Sequence, residues 1–324
     1  MEVADVLDPR VVIVTGKGGV GKSTIAAALA VAAVRSGRRT CLVEVEGRQT
    51  MARLFSTEPW NFDERSFRPD LFGMSIDPEA SLLDYLQMFY GARRLSRLVV
   101  GSPAVDFATS AAPGIKDVLL IGKVREMERR REPDGRFTYD LIVVDAPPTG
   151  RIVNFLRAPD ATTELVSVGP IHSQAQSVVD MLLDGTRTHV QLVTLLEEMP
   201  VQETLESARA LTELGVTLGP VIVNRVLTER FDERAAKVLD DGLSPRELAA
   251  MLSSAGLEID LGAAAALHAL GAKHLQTVAL QRRLRQVLNE RLQLPLIELG
   301  FQHTPAFGET EIGRLADTIL ELVA

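Results

Sequence analysis

A glycine-rich segment with two lysines constrains this chain more than any other part of its sequence. It lies between a β-branched run at Arg10 to Thr15, typical of a strand buried on both faces, and an alanine-rich run at Lys22 to Ser36, typical of a helix. The segment matches the pattern G-x-x-x-x-G-K-[ST] and consists of Gly16, Lys17, Gly18, Gly19, Val20, Gly21, Lys22, Ser23 and Thr24. Glycines let successive backbone N–H groups turn inward, and the N-terminus of the following helix adds positive potential. The sequence therefore predicts a loop that binds the phosphates of a nucleotide.

Three side chains at the end of this loop and one distant aspartate suit a nucleoside triphosphate with Mg²⁺. We expect Lys22 to reach the β- and γ-phosphates, Ser23 to ligate Mg²⁺ and Thr24 to contact the α-phosphate. A second apolar run, LIVVD, ends at Asp145, where a carboxylate can hold the Mg²⁺ shell as in a Walker B strand. The cofactors predicted from these residues are ATP and Mg²⁺.

The same glycines also fit a dinucleotide-binding fingerprint. Gly16, Gly18 and Gly21 match G-x-G-x-x-G, and Glu44 lies roughly 20 residues further on, where a ribose-binding acid is expected. Two features favour the triphosphate. A dinucleotide loop has no use for the Lys-Ser-Thr that follows the last glycine, and it needs no Walker B carboxylate.

Lys17 lies one residue into the loop, where a lysine does not help to form the turn. A cation there points away from the triphosphate of its own loop and can act on a nucleotide bound by a facing subunit. Such a cation stabilises charge on the phosphoryl group being transferred, a role worth roughly 10³–10⁵ in rate for arginine fingers. We therefore predict that Lys17 is catalytic in trans; the alternative is a solvated surface lysine.

Strand-like and helix-like segments alternate over most of the chain. Further strands are predicted at Arg39 to Glu46, Leu71 to Ile76, Tyr139 to Asp145, His189 to Leu195, Pro220 to Asn224 and Leu294 to Leu299. The alternation predicts an α/β fold, a P-loop NTPase with a mostly parallel sheet covered by helices on both faces, plus helical insertions. We assign the ATPase core to residues 10–79, 137–228 and 293–324, a helical insertion to 80–136 and a second helical region to 229–292. The second region contains a capping box at Ser244 to Glu247.

Charge and cysteine content exclude several classes of protein. The formal net charge of −8 argues against a protein that grips nucleic acid or an anionic membrane over a wide surface. The single cysteine, Cys41, excludes a disulfide framework and any site of paired thiolates within one chain. Residues 1–9 lack the apolar run of a signal peptide, and no apolar run is long enough to span a bilayer. We expect a cytoplasmic protein with at most indirect membrane association.

Several motifs together resemble one branch of the ATPases with a deviant Walker A loop. GKGGVGKST is that loop with its signature lysine, and DAPPTG at Asp145 to Gly150 resembles the second switch of the branch, normally DTAPTG. VQETLESARAL at Val201 to Leu211 and VIVN ending at Asn224 are weaker matches. By these motifs the chain is similar to the arsenite-pump ATPases and tail-anchored-protein targeting factors.

This resemblance implies a homodimer or pseudo-dimer that encloses ATP between facing subunits and uses hydrolysis to control a protein client. It implies that Asp145 and the residues after it, Pro148, Thr149 and Gly150 among them, sense the γ-phosphate and change backbone arrangement. It also implies that Asn224 contacts the adenine.

The chain departs from the family pattern after the second strand. Glu46-Gly47-Arg48 stand where the family has Asp-Pro-Ala, whose aspartate orients the attacking water. Glu46 is therefore the candidate for this catalytic role, with a carboxylate one methylene further out. The cysteine cluster of arsenite pumps and the zinc-binding pair of some targeting factors are missing, so we expect no metal beyond Mg²⁺ at Ser23 and Asp145.

Three functions stay open on the sequence. The first is a dimeric Mg-ATP-dependent ATPase switch that acts on a protein client. The second is a weakly active nucleotide-binding subunit that forms a heterodimer with a paralogous ATPase. The third is a partition- or division-site-like ATPase, which needs a basic surface for DNA or a basic amphipathic C-terminal helix for a membrane. The C-terminal GRLADTILELVA is amphipathic but acidic, so we expect it to pack on the core and expect no nucleic-acid partner.

Overall fold

The computed structural model describes residues 6–45, 47–90, 114–165 and 170–323. The strands in these ranges are β1 (Val11–Gly16), β2 (Thr40–Val45), β3 (Arg65–Arg68), β4 (Leu71–Ile76), β5 (Leu141–Asp145), β6 (Thr188–Leu195), β7 (Val221–Val226) and β8 (Leu296–Gly300). They form one sheet in the order β3-β4-β2-β5-β1-β6-β7-β8. All neighbouring strands are parallel except β3, which is antiparallel to β4. The predicted α/β fold with a mostly parallel sheet is confirmed.

Helices connect these strands and lie on both faces of the sheet. They are α1 (Lys22–Arg35), α2 (Thr50–Leu54), α3 (Pro78–Tyr90), α4 (Ile115–Arg129), α5 (Thr149–Leu165), α6 (Pro170–Leu183), α7 (Glu198–Glu213), α8 (Glu233–Asp240), α9 (Pro245–Ser254), α10 (Leu261–Leu292) and α11 (Glu309–Val323). None of the helices in the described ranges is long and apolar enough to cross a membrane.

The sheet separates two apolar layers because successive side chains of a strand point to opposite faces. Val12 and Val14 of β1 pack in a layer with α1, α2 and α11. Val11 and Ile13 pack in the other layer, with α4, α5, α6 and α7. The acidic C-terminal helix α11 belongs to the first layer through buried residues such as Ile312, so the prediction that it packs on the core is confirmed.

The edge strand β3 was not predicted from the sequence. Its four residues, RSFR, lack a β-branched or alternating apolar pattern, and three of them are exposed. An edge strand needs a partner on one side only, and here backbone pairing with β4, as between Arg65 and Gly73, specifies it.

The two regions predicted to be helical contain α3 and α4, and α8, α9 and α10, respectively; residues 91–113 lie outside the described ranges. The capping box is confirmed: the Ser244 hydroxyl accepts from the Glu247 N–H at 3.3 Å, and the Ser244 N–H donates to the Glu247 carboxylate at 2.8 Å. Helices α8 and α9 have no buried residues. The division of the chain into a core and two helical regions stays a prediction.

Candidate functional site

The glycine-rich loop between β1 and α1 is tightly packed at its two ends. A Cβ on Gly16 would lie 2.2 Å from the carbonyl oxygen of Val193, so a larger residue there would displace β6. Gly21, the N-cap of α1, has a φ of 96°, and a Cβ there would lie 2.4 Å from Nδ2 of Asn224. A Cβ on Gly18 would meet nothing described within 4 Å. The loop is therefore fixed at both ends and open between them, as a phosphate cradle requires.

Asn224, near the carboxyl end of β7, connects this loop to the sheet through a hydrogen bond. Its Nδ2 donates to the carbonyl oxygen of Val20 at 2.9 Å, and its Oδ1 accepts from the Arg225 N–H at 2.9 Å. Val20 and Asn224 are both buried, whereas Gly18 and Gly19 are exposed. The amide that the resemblance assigns to adenine therefore also anchors the loop to the sheet.

Ser23 and Asp145 meet where β1 and β5 end side by side. The Ser23 hydroxyl donates to Oδ2 of Asp145 at 2.6 Å. Oδ1 of Asp145 is buried and has no hydrogen-bond partner among the described residues. A hydroxyl beside a carboxylate oxygen with an unused lone pair is a donor set that suits Mg²⁺, since that ion prefers oxygen ligands. These residues fit the metal that the sequence predicts here.

Burial dominates the electrostatics of Asp145. It raises the pKa of this carboxyl to about 6, and the nearby Glu44 carboxylate raises it further, while the Ser23 hydrogen bond and the charges of Lys22 and Arg48 lower it. Lys22, the Walker lysine, is itself buried and is close enough to Asp145 for its charge to lower the pKa of that carboxyl. Lysine and carboxylate thus occupy one water-poor site, where electrostatic interactions are strong.

Lys17 forms an ion pair with Glu203 of α7. The other carboxylate oxygen of Glu203 accepts from the Thr149 hydroxyl at 3.0 Å. One carboxylate therefore joins the signature lysine to the first residue of α5. Glu203 belongs to the segment VQETLESARAL, but its role was not predicted, because nothing in the residue spacing of that segment indicates that α7 faces the loop.

The segment from Asp145 to Gly150 connects β5 to α5. The Thr15 hydroxyl donates to the carbonyl oxygen of Pro147 at 2.7 Å, and the carbonyl oxygen of Pro148 accepts from the N–H groups of Arg151 and Ile152 at 2.8 and 3.1 Å. Thr149 and Gly150 open helix α5. The predicted switch segment thus runs directly from the aspartate to a helix N-terminus.

Glu44 is not available as a ribose-binding acid. It is fully buried, and its two carboxylate oxygens accept from the N–H groups of Gln49 at 2.9 Å and Thr50 at 2.6 Å. It therefore anchors the start of α2, which argues further against the dinucleotide alternative. Glu46, the candidate for orienting the attacking water, lies outside the described residues.

A cavity of about 520 Å³ opens beside Thr24 and Asn224, a volume within the usual range for small-molecule sites. Residues that sequence analysis did not single out also line it: Arg225, Phe301, Gln302, Thr304 and Phe307. Arg225 lies in β7 directly after Asn224, and the other four residues follow β8. The strand order brings the carboxyl ends of these two strands to the same edge of the sheet as the loop. The one available signal was their place just after predicted strands, since ligands of open α/β sheets bind at the carboxyl ends.

Comparison with known proteins identifies the family. A profile of the anion-transporting ATPase family matches residues 9–169 and 165–241. The chain belongs to this family. It is therefore an ATPase, and the resemblance stated from the loop, the second switch and Asn224 is confirmed.

Relatives within the anion-transporting ATPase family cover most of the chain. ATPase BagA of Mycobacterium tuberculosis is 41% identical over 296 residues, which are 90% of this chain and 86% of that protein. ATPase GET3 of Kluyveromyces lactis is 24% identical over 260 residues, 69% of this chain and 74% of that protein. An arsenical pump-driving ATPase of Acidiphilium multivorum is 26% identical over 250 residues, 70% of this chain and 41% of that protein.

Proposed function

We propose that this anion-transporting ATPase family member is a dimeric, Mg-ATP-dependent switch whose nucleotide state controls a protein client. The observation that carries the proposal is the hydrogen bond between Ser23, directly after the glycine loop, and Asp145. The second carboxylate oxygen of Asp145 is buried and has no hydrogen-bond partner among the described residues. A partner ATPase or client is inferred from the family, whose relatives include a GET3 and an arsenical pump-driving ATPase.

Each residue of the loop and its surroundings has a separate role in binding and cleaving ATP. The backbone of Gly16 to Gly21 holds the phosphate oxygens, Lys22 neutralises the β- and γ-phosphates, and Thr24 steadies the α-phosphate. Ser23 and Asp145 hold Mg²⁺, which when bound neutralises charge on the same phosphates. The buried position of Asp145 supports this role, because exclusion of water strengthens every charge interaction at the site.

A nucleoside pocket and the residues that act on the γ-phosphate would complete the site. The nucleoside would occupy the cavity beside Asn224, which Arg225 of β7 and the residues that follow β8 also line. Glu46 would orient the attacking water, and Pro148, Thr149 and Gly150 would respond to the γ-phosphate through their direct connection to Asp145.

The binding roles can be tested by calorimetric titration of ATP with and without Mg²⁺. Lys22→Ala should weaken ATP binding about 10- to 100-fold, the usual worth of a hydrogen bond to a charged group. Lys237→Ala, an exposed lysine on α8, is the matched control and should bind as the wild type does. Asp145→Asn should abolish the gain in affinity from Mg²⁺ while leaving binding in EDTA unchanged. Wild-type affinity in Lys22→Ala would exclude the loop as the ATP site.

The trans role of Lys17 can be tested by mixing variants. Lys17→Ala should bind ATP but not hydrolyse it, whereas Lys22→Ala should bind ATP weakly and not hydrolyse it. Mixed dimers contain one complete site, with the loop of the first variant and the lysine of the second. An equal mixture should recover about a quarter of wild-type turnover, because half the dimers of a two-fold symmetric pair are mixed and each has one active site of two. No recovery would contradict the trans assignment.

The second candidate is a subunit that turns over efficiently only beside a paralogous ATPase. It is favoured by Glu46-Gly47-Arg48 in place of Asp-Pro-Ala, since a misplacement of about 1 Å in a positioned reactant can lower the rate 100-fold. The test is turnover of the purified chain alone and after addition of any ATPase that co-purifies with it. Full turnover alone, lost in Glu46→Gln, would exclude this candidate.

A further inference from the structure

Glu203 makes two contacts that link separate parts of the site. One carboxylate oxygen pairs with the ammonium group of Lys17 in the glycine loop, and the other accepts a hydrogen bond of 3.0 Å from Thr149 at the start of α5. Lys17 and Glu203 are 186 residues apart in the sequence. The arrangement therefore exists only in the folded chain.

Helix α7 holds Glu203 in a defined place. The neighbouring Val201, Thr204 and Leu205 are buried, and the Thr204 hydroxyl donates to the Pro200 carbonyl oxygen at 2.8 Å. A carboxylate carried by a packed helix can act as a fixed point for the lysine side chain and for the start of α5. The glycine loop and the second switch are both tied to that point.

The ion pair is suited to being broken. The side chains of Lys17 and Glu203 are each 30% exposed, and ion pairs with this much solvent contact are weak. A phosphate group with more than one negative charge competes well for a lysine held in this way. While Lys17 is paired with Glu203 of its own subunit, its side chain does not extend toward a facing subunit.

We propose that Glu203 is a positioning residue that retains Lys17 within its own subunit and releases it, together with Thr149, when ATP joins two subunits. This inference rests on the proposed trans role of Lys17. It assigns to Glu203 an autoinhibitory contact: the lysine needed by the facing site is withheld until the second switch moves. Thr149 supplies the coupling, since a shift of the segment after Asp145 removes one of the two contacts of the carboxylate.

The test uses Glu203→Gln, which keeps an acceptor for Thr149 but removes the charge that holds Lys17. Glu206→Gln is the matched control, because Glu206 lies on the same helix, is exposed and hydrogen-bonds Gln202 instead. The first readout is the rate of reductive methylation of Lys17, followed by mass spectrometry without nucleotide. Glu203→Gln should raise this rate several-fold and Glu206→Gln should not.

The second readout is the ATP concentration that gives half-maximal dimerisation in analytical ultracentrifugation. Glu203→Gln should lower it about two- to five-fold, the range that a partly exposed ion pair supports. An unchanged or raised ATP midpoint, or unchanged methylation of Lys17, would overturn the inference. If the wild type binds ATP but never dimerises, the proposed dimeric switch fails and the release step fails with it. If dimerisation is normal and only the Glu203 effects are missing, the proposed function stands and this inference alone is wrong.

Discussion

The sheet around the glycine loop and the helical segment from α8 to α10 differ in how their residues are buried. Every residue of β1, β2, β5 and β6 is buried, whereas α8 and α9 have no buried residue. A strand covered on both faces depends on all its neighbours at once. A helix that lies on the surface depends mainly on its own caps and on the few side chains that touch the next helix.

Exposed large apolar side chains are concentrated in the helical segment, although others lie elsewhere in the described ranges. A group of them lies in the helical segment: Val238, Met251, Leu257, Leu261, Leu267 and Leu270. An apolar pattern therefore has a different meaning in the two regions. In the sheet it predicts which residues touch, while in the helical segment it predicts a helix without predicting a partner.

The largest expected change in stability comes from a substitution at Gly16, in the tightly packed sheet region. A Cβ there would lie 2.2 Å from a backbone oxygen of β6, so Gly16→Ala should lower the free energy of unfolding by about 3 kcal/mol or more, at the upper end of the cost of overpacking a core. Gly18→Ala is the control, because its Cβ meets nothing described within 4 Å and should change stability by less than about 0.5 kcal/mol. Urea denaturation measures both. Equal stability of the two variants would break the contrast between tight loop ends and open middle.

Helix α10 contains the same contrast within one element. Leu288 is fully buried against α7 and β7, whereas Leu270, five turns earlier, is 65% exposed. Leu288→Ala should cost about 3 kcal/mol of unfolding free energy through lost burial and a cavity. Leu270→Ala should change it by less than about 0.5 kcal/mol. A large loss in Leu270→Ala would mean that the first half of α10 is packed against something in solution.

The pH dependence of stability should distinguish Asp145 from exposed carboxylates. Burial raises its pKa to about 6 from the ordinary 3.8, so between these values the native chain keeps a proton that the unfolded chain releases. The free energy of unfolding must then fall as pH rises through this window. In EDTA, Asp145→Asn should gain roughly 2–3 kcal/mol over the wild type between pH 4 and pH 7. A relative gain that shrinks with rising pH would contradict the raised pKa.

The parts of this site that are defined by residues close together in the chain could be predicted from the sequence. The loop, Lys22, Ser23 and the strand before Asp145 are local patterns, because a turn, a helix start and a buried run are each defined by a few neighbours. Glu203 and Phe301 could not be reached in this way. Their place beside the loop depends on strand order, which puts β6 next to β1 and β7 and β8 beyond β6, and no residue spacing in the sequence signals that order. β3 was missed for a related reason, since pairing with β4 and not its own composition makes it a strand.

The smallest effect concerns the capping box of α9, where Ser244 and Glu247 satisfy each other's N–H groups. Ser244→Ala should weaken this helix by about 1 kcal/mol, the usual worth of an N-cap. Because α9 has no buried residues, the loss should appear as faster hydrogen exchange in residues 245–254 and not as a change in global unfolding. Arg246→Ala, an exposed change in the same first turn, is the control and should leave exchange nearly unchanged. A global loss of 1 kcal/mol in Ser244→Ala would show that α9 unfolds together with the sheet, and the two regions would then be one cooperative unit despite their different burial.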